Sequence, residues 1–421
     1  MRFYIFTLLF FAVTYSYAQE RVRIGPRASA VVERRGIFYA DPVEESYEDY
    51  NLKAGDTYLK LGYSFQFGYE TNPSNATVSS NKDESAYATN YLRLGLLHDV
   101  IEGLTLQTNI NIGYKEFFEG DNEDGLVVDI DTETGGDESI GVEFNLGEKT
   151  LLSLTDSIQV NVDQIEDLRE EQNSNESYFL ENDFGIQLYH ELEEESGFGI
   201  KIGRRDVHSL NGEFKERNRE EYYAGIEYTT LLVPRLLVSP YLTYTDFDYE
   251  SRPFTSNSDA ETIQAGLIFD YDASETMTVS LKGGWQDLSF DEGADSEGFD
   301  GNLRVQHIIS EFAAHALDLG YRFRVSNSSS VNAAEDTYLT YTYEYEFNSQ
   351  LMIRPTFSWL HSEDDVSGGE KYDIFVPSIS LRYKFTEKLS GTLDYSYTEK
   401  TSNIDSEFVN NHIFFRLSYD F

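Results

Sequence analysis

The 421-residue chain contains no cysteine. That excludes a disulfide framework and any Cys-ligated zinc or iron–sulfur centre. Basic residues are scarce: 32 Lys plus Arg stand against 75 Asp plus Glu, a formal net charge of −43. A general basic surface for nucleic acid is thereby excluded, because such a field repels phosphate backbones. Long apolar runs are missing as well. After the stretch 3–13 no segment approaches the ~20 residues of a membrane-crossing helix. No sustained 3.6-residue period occurs. Neither H-E-x-x-H nor G-x-S-x-G is present, and no nucleophile is marked among the 7 His and their neighbours, so no enzyme is expected. The run Asp129-x-Asp131-x-Glu133 is no EF-hand, since Thr134 stands where glycine is needed and Ile140 where the bidentate Glu belongs. No cofactor and no metal centre is expected.

What the chain does have is aromatic residues, 31 Tyr and 29 Phe, in a sequence that is polar on average. They follow a period of two. Leu59, Leu61, Tyr63, Phe65, Phe67 and Tyr69 alternate with Lys60, Gly62, Ser64, Gln66 and Gly68. Leu339, Tyr341, Tyr343, Tyr345 and Phe347 alternate with Thr340, Thr342, Glu344 and Glu346. Such segments are two-faced strands. Their connections alternate too. Long acidic ones fall at 71–86, 119–137, 164–175, 209–219, 251–259, 291–299, 326–335, 362–370 and 401–407. Short ones fall between them.

These features predict an all-β, transmembrane, antiparallel up-and-down β-barrel. It has about 18 strands, with 16 as the alternative, long outer loops and short periplasmic turns. In the strands at 150–163 and 176–189 the outward phase includes Asp156 and Asn182. Tyr58, Tyr69, Phe118, Tyr222, Tyr249, Phe347 and Phe385 are candidates for interfacial girdles.

Residues 1–18 read as a signal peptide: Arg2, an apolar stretch, then Ser16-Tyr17-Ala18 as a small-x-small cleavage site. Residues 19–55 form an N-terminal periplasmic extension or partial plug, and 56–421 the barrel. The chain ends on Phe415, Leu417, Tyr419 and Phe421 at alternate positions. This ending resembles the C-terminal signature of bacterial outer-membrane barrels, and the resemblance implies recognition by the barrel assembly machinery.

Two further patches, Arg23-Ile24-Gly25-Pro26 and Phe67-Gly68-Tyr69-Glu70-Thr71-Asn72-Pro73, resemble elements of the beta-barrel porin families of Gram-negative bacteria, particularly the type 2 group. The resemblance implies a location in the outer membrane. Through the association of some members with exopolysaccharide export, it also implies polysaccharide-export components as partners of one alternative.

A barrel of this size encloses water, and passage of solutes follows. The leading expectation is a porin-like channel for passive diffusion of small hydrophilic solutes. The alternatives are an exopolysaccharide conduit and a structural or adhesive barrel with an occluded lumen. By the alternation, Lys60, Arg93, Arg304, Arg322, Arg324, Arg354, Arg382, Lys384 and Arg416 face the lumen and form a basic strip that attracts anionic or hydroxylated solutes. The competing reading is that they pair across strands with Asp318, Glu344, Glu346 and Asp394 and only stiffen the wall. Expected partners are outer-membrane lipid and lipopolysaccharide, with divalent cations bridging the acidic loops as a further option.

Overall fold

The structure is a computed structural model. It describes residues 52–55, 57–72, 84–101, 104–118, 125–128, 140–147, 149–161, 179–193, 196–209, 218–250, 259–291, 295–325, 333–364, 369–404 and 407–421. The signal peptide, most of the 19–55 extension, the 23–26 patch and most of the acidic loops lie outside these residues.

The described chain forms one sheet of twenty strands. It begins with β1 (Leu52–Ala54), β2 (Thr57–Glu70), β3 (Ser85–Ile101) and β4 (Leu104–Phe117). Next come β5 (Gly125–Val128), β6 (Ile140–Asn145), β7 (Thr150–Asn161) and β8 (Phe179–Glu193). β9 (Ser196–Ser209), β10 (Arg219–Val233), β11 (Leu236–Tyr249) and β12 (Ala260–Ser274) follow. Then come β13 (Met277–Phe290), β14 (Ser296–Ser310), β15 (Ala313–Val325) and β16 (Ala333–Asn348). The last four are β17 (Leu351–Asp364), β18 (Lys371–Lys384), β19 (Leu389–Ser402) and β20 (Phe408–Asp420).

From β7 onward each strand pairs antiparallel with the next in sequence. The ends meet: β20 pairs with β2, from Gly62 opposite Asp420 to Glu70 opposite His412. This pairing satisfies the edges that an open sheet would leave bare. β5 and β6 both lie between β4 and β7, β5 against its far half and β6 against its near half. Counting these two as one place and setting β1 aside leaves eighteen places in the wall, the larger of the two expected strand numbers. β5 is a correction, because 119–137 reads in sequence as one long connection.

β1 was not foreseen either. It folds back through Gly55, which has a φ of +67°, and pairs with Thr57–Leu59. Only glycine adopts that backbone without a steric penalty. β20 stops opposite Gly62 on the same edge of β2, so β1 covers the length that β20 leaves.

The two faces separate by alternation. On β2, Tyr63, Phe65 and Phe67 are exposed while Ser64, Gln66 and Glu70 are buried. The same inversion recurs around the wall. Ile226, Ile263, Leu281, Trp285, Phe299, Leu393 and Phe415 stand exposed on the outer face, and Glu227, Asp318, Glu344 and Ser418 are buried on the inner one. In a soluble protein the inversion would be unstable, because apolar side chains belong inside.

Candidate functional site: the inner wall

The inner wall is built by the alternate residues that the outer face leaves over. Where a tyrosine of one strand meets a glycine of the next, the ring lies flat along the wall. A Cβ added at Gly320 would sit 2.3 Å from the Tyr338 ring, and one at Gly203 2.2 Å from Tyr223. Glycine is therefore required there for close approach. Tyr223 then donates to Asp183 at 2.6 Å, while the Lys201 ammonium lies 5.0 Å from the Tyr223 ring centroid. None of these tyrosines was singled out in sequence. Glycine at inward positions beside an inward aromatic is the signal that marks them. Tyr58 and Tyr249, expected in interfacial girdles, are corrections: they occupy inward positions of β2 and β11. Phe347 and Phe385 are exposed and pack edge-on against Tyr345 and Tyr383 beside the short turns.

All nine candidate cations lie at inward positions of their strands, but they do not form one continuous basic strip. Arg304 bridges Asp318 at 2.8 Å, and Arg354 bridges Glu344 at 2.7 Å. Arg322 and Arg324 both donate through Nε to the same carboxylate oxygen of Asp336, each at 2.9 Å, and Asp336 is fully buried. Arg93 bridges Asp420 across the seam between β3, β2 and β20, at 2.8 Å. Pairing thus consumes five of the nine. Asp318 and Glu344 act as the competing reading expected. Asp336 and Asp420 were not foreseen, because each partner depends on register at a strand end.

The remaining four stand on β18, β20 and β2. Arg416 donates Nε and Nη2 to Gln66 Oε1 at 3.0 and 2.9 Å, with its guanidinium 5.4 Å from the Tyr91 ring. Among the described residues, Lys60, Arg382 and Lys384 have no carboxylate partner. Register places Arg382 opposite Thr392, and Thr392 opposite Arg416. Arg416 in turn faces Gln66, three inward places above Lys60 on β2. These cations gather on β18, β20 and β2 towards the short-turn end.

The seam itself is polar. Ser64 and Ser418 hydroxyls are 2.9 Å apart, Gln66 donates to the Tyr87 hydroxyl at 2.8 Å, and that hydroxyl lies 2.6 Å from His412 Nε2. Two apolar clusters sit nearer the long-connection end. One joins Leu360, Tyr372, Ile374 and Phe408; the other joins Ala260, Leu288, Phe290, Phe323 and Ala333. The C-terminal residues Phe415, Tyr419 and Phe421 stand exposed on the outer face.

No family model matches the chain, and no curated protein matches it. Among solved structures, OccAB4 of Acinetobacter baumannii is 14% identical, with a TM-score of 0.47 over 86% of this chain and 98% of that one. OpdQ of Pseudomonas aeruginosa is 11% identical, with a TM-score of 0.49 over 86% and 98%. A BenF-like porin from Pseudomonas fluorescens Pf-5 is 10% identical, with a TM-score of 0.49 over 86% and 99%. The architecture described above rests on the strand pairing and not on these likenesses.

Proposed function

We propose that the chain is a channel of the Gram-negative outer membrane through which small hydrophilic solutes diffuse. One observation carries this reading. A wall of eighteen strand places exposes Ile226, Leu281, Trp285 and Phe415 outward and turns hydroxyls, amides and ion pairs inward. Hydrocarbon tolerates only backbones whose every amide is paired, and a closed sheet meets that condition. A wall of eight strands is filled by its own side chains, whereas one of sixteen to eighteen leaves an aqueous passage. The reading includes export by the 1–18 signal peptide and assembly through the Phe415, Leu417, Tyr419 and Phe421 ending. It also assigns contact with solutes to Lys60, Arg382 and Lys384.

Purified, folded protein in a planar bilayer tests the proposal. Steady, non-rectifying steps of KCl current are expected. A barrel that shifts on heating in gels, as a folded one does, yet passes no ions would refute the channel. Replacing Arg382, Lys384 and Lys60 by Glu is expected to move the ion preference towards cations, and an unmoved reversal potential would remove their role as lining.

A further inference from the structure

Most of the inner wall spends its polar groups on itself, but one part does not. On β16 to β19 a row of hydroxyls stands in direct register: Thr342 opposite Thr356, Thr356 opposite Ser378, and Ser378 opposite Ser396. Four adjacent strands place this row across about 14 Å of wall. Thr340 and Ser358 flank it on one side, opposite each other, and Thr398 lies one inward place from Ser396. Thr342 and Thr356 hydroxyls are 3.3 Å apart, as are those of Thr340 and Ser358. Among the described residues, the Ser378, Ser396 and Thr398 hydroxyls make no hydrogen bond with another residue and are not sealed from water.

No charged side chain stands among these four positions; beyond Ser396 the register continues to His412 on β20 and Glu70 on β2, which lie 3.6 Å from each other. The nearest inward row, one place towards the short turns, carries Arg354 and Glu344, already bridged, with Ser380 opposite Arg354 and Asp394 opposite Ser380. Serine and threonine are also the shortest polar side chains. A solute at this row comes closer to the backbone than at walls filled by Tyr223, Tyr241 or the paired arginines.

From this arrangement we infer that the row Thr342, Thr356, Ser378 and Ser396 is a contact track for uncharged polyhydroxylated solutes of monosaccharide size. Each hydroxyl both donates and accepts, so the row matches a ligand whose own groups do both in any rotation. An ionic solute gains no counter-charge there and loses hydration, so the track discriminates by the absence of charge. Neighbouring strands lie about 4.8 Å apart and alternate residues along a strand about 6.7 Å, which is the scale on which hydroxyls are spread over a pyranose ring. The assignment rests on the channel reading above and names the solute class for it.

The test compares glucose with gluconate, an anion of similar size, in proteoliposomes holding the full mature chain. The variant is Thr342→Val, Thr356→Val, Ser378→Ala and Ser396→Ala together, which removes the hydroxyls at almost constant volume. Glucose flux is expected to fall by about threefold or more, as the loss of one or two net hydrogen bonds implies. Gluconate flux and KCl conductance are expected to stay within about a quarter of the parent, on the same argument that no charge has moved. The exchange Thr342→Ser, Thr356→Ser, Ser378→Thr and Ser396→Thr, which keeps every hydroxyl, is expected to keep glucose flux. Unchanged glucose flux in the hydroxyl-free variant, or an equal fall for glucose, gluconate and KCl, would overturn the track while leaving the channel standing. A parent that carries no KCl current would sink the channel reading and the track with it. Ser378→Ala with Ser396→Ala alone serves if the fourfold variant does not fold, with the same signs expected.

Discussion

Between β4 and β7 the wall is held by two fragments of 4 and 6 residues, while every strand from β8 to β20 runs 13 to 16. The two regions also differ on their outer faces. Along the late wall the outward positions of β18 to β20 are apolar from Phe375 to Leu381 and from Ile413 to Tyr419, apart from Pro377. On the early wall Asp156 takes an outward place, and Asn182 of β8 donates to it at 2.8 Å. The irregularities coincide. β6 stops pairing with β7 at Asp156, and among the described residues pairing on that edge resumes only at Val160, opposite Val128 of β5. Asp156 thus stands at the junction between the β6 and the β5 pairings of β7. Among the described residues, the short fragments and the polar outer place occur together, whereas the long strands β18 and β20 carry apolar outer faces.

The largest effect separating the two regions is expected from the late inner wall. Asp336 takes one hydrogen bond each from Arg322 and Arg324, and these arginines keep only part of their surface in the water of the lumen. Asp336→Ala leaves Arg322 and Arg324 side by side without the carboxylate they share. The expected cost is about 3 kcal/mol, at the lower end for breaking a buried pair because both arginines keep some solvent. Urea unfolding of the barrel in vesicles measures it. A loss below about 0.5 kcal/mol, within the range of an ordinary surface substitution, would show that the late wall does not depend on its ion pairs.

A smaller, opposed pair of effects is expected on the outer faces. Leu393→Asp on β19 introduces a carboxylate beside an unbroken ladder, and a cost of about 2 kcal/mol is expected. Asp156→Leu on β7 removes one where the β6 and β5 pairings meet, and a change within about 1 kcal/mol is expected, since the lost hydrogen bond and the gained apolar contact oppose each other. If Asp156→Leu instead stabilised the barrel by as much as Leu393→Asp harms it, Asp156 would lie in bare hydrocarbon and the contrast between the two walls would dissolve.

Long strands and short fragments were also unequally legible in the sequence. The runs Leu59–Tyr69 and Leu339–Phe347 declare their faces because lipid-facing places demand apolar side chains at every second residue, so period and phase are both visible. Even the outward Asp156 and Asn182 follow from phase alone. β5 could not be read, because four residues inside an acidic connection are too few to show a period. The inner wall was half legible. Alternation names the cations that face inward, but pairing depends on register. The connection from Arg324 to Asp336 spans 326–332, whose length does not fix which carboxylate arrives opposite which arginine. Only where the register is set by a short turn is the partner readable, as for Glu344 and Arg354 on either side of Asn348 and Ser349.

The smallest expected effect sharpens the same contrast inside the lumen. Glu344 on β16 accepts both Nε and Nη2 of Arg354, and the arginine side chain is 30% exposed against 8% for the glutamate. Within the pair the charges cancel, and the inner wall presents a dipole there in place of a net charge. Glu344→Gln keeps the shape and one acceptor oxygen but leaves the positive charge of Arg354 uncompensated, next to Arg382 one place nearer the short turns on β18. The chloride-to-potassium permeability ratio is expected to rise about twofold, equivalent to roughly 0.4 kcal/mol, because lumen water screens most of the change. Raising the salt to about 1 M, where the screening length drops to ~3 Å, is expected to abolish the shift. The corresponding change across β8 and β9, Glu181→Gln beside Arg205, leaves Glu221 still 3.8 Å from that arginine and is expected to move the ratio less. Equal shifts from the two substitutions would mean that the β18–β20–β2 cations do not reinforce Arg354, and that the lumen averages its wall charges over the whole circumference.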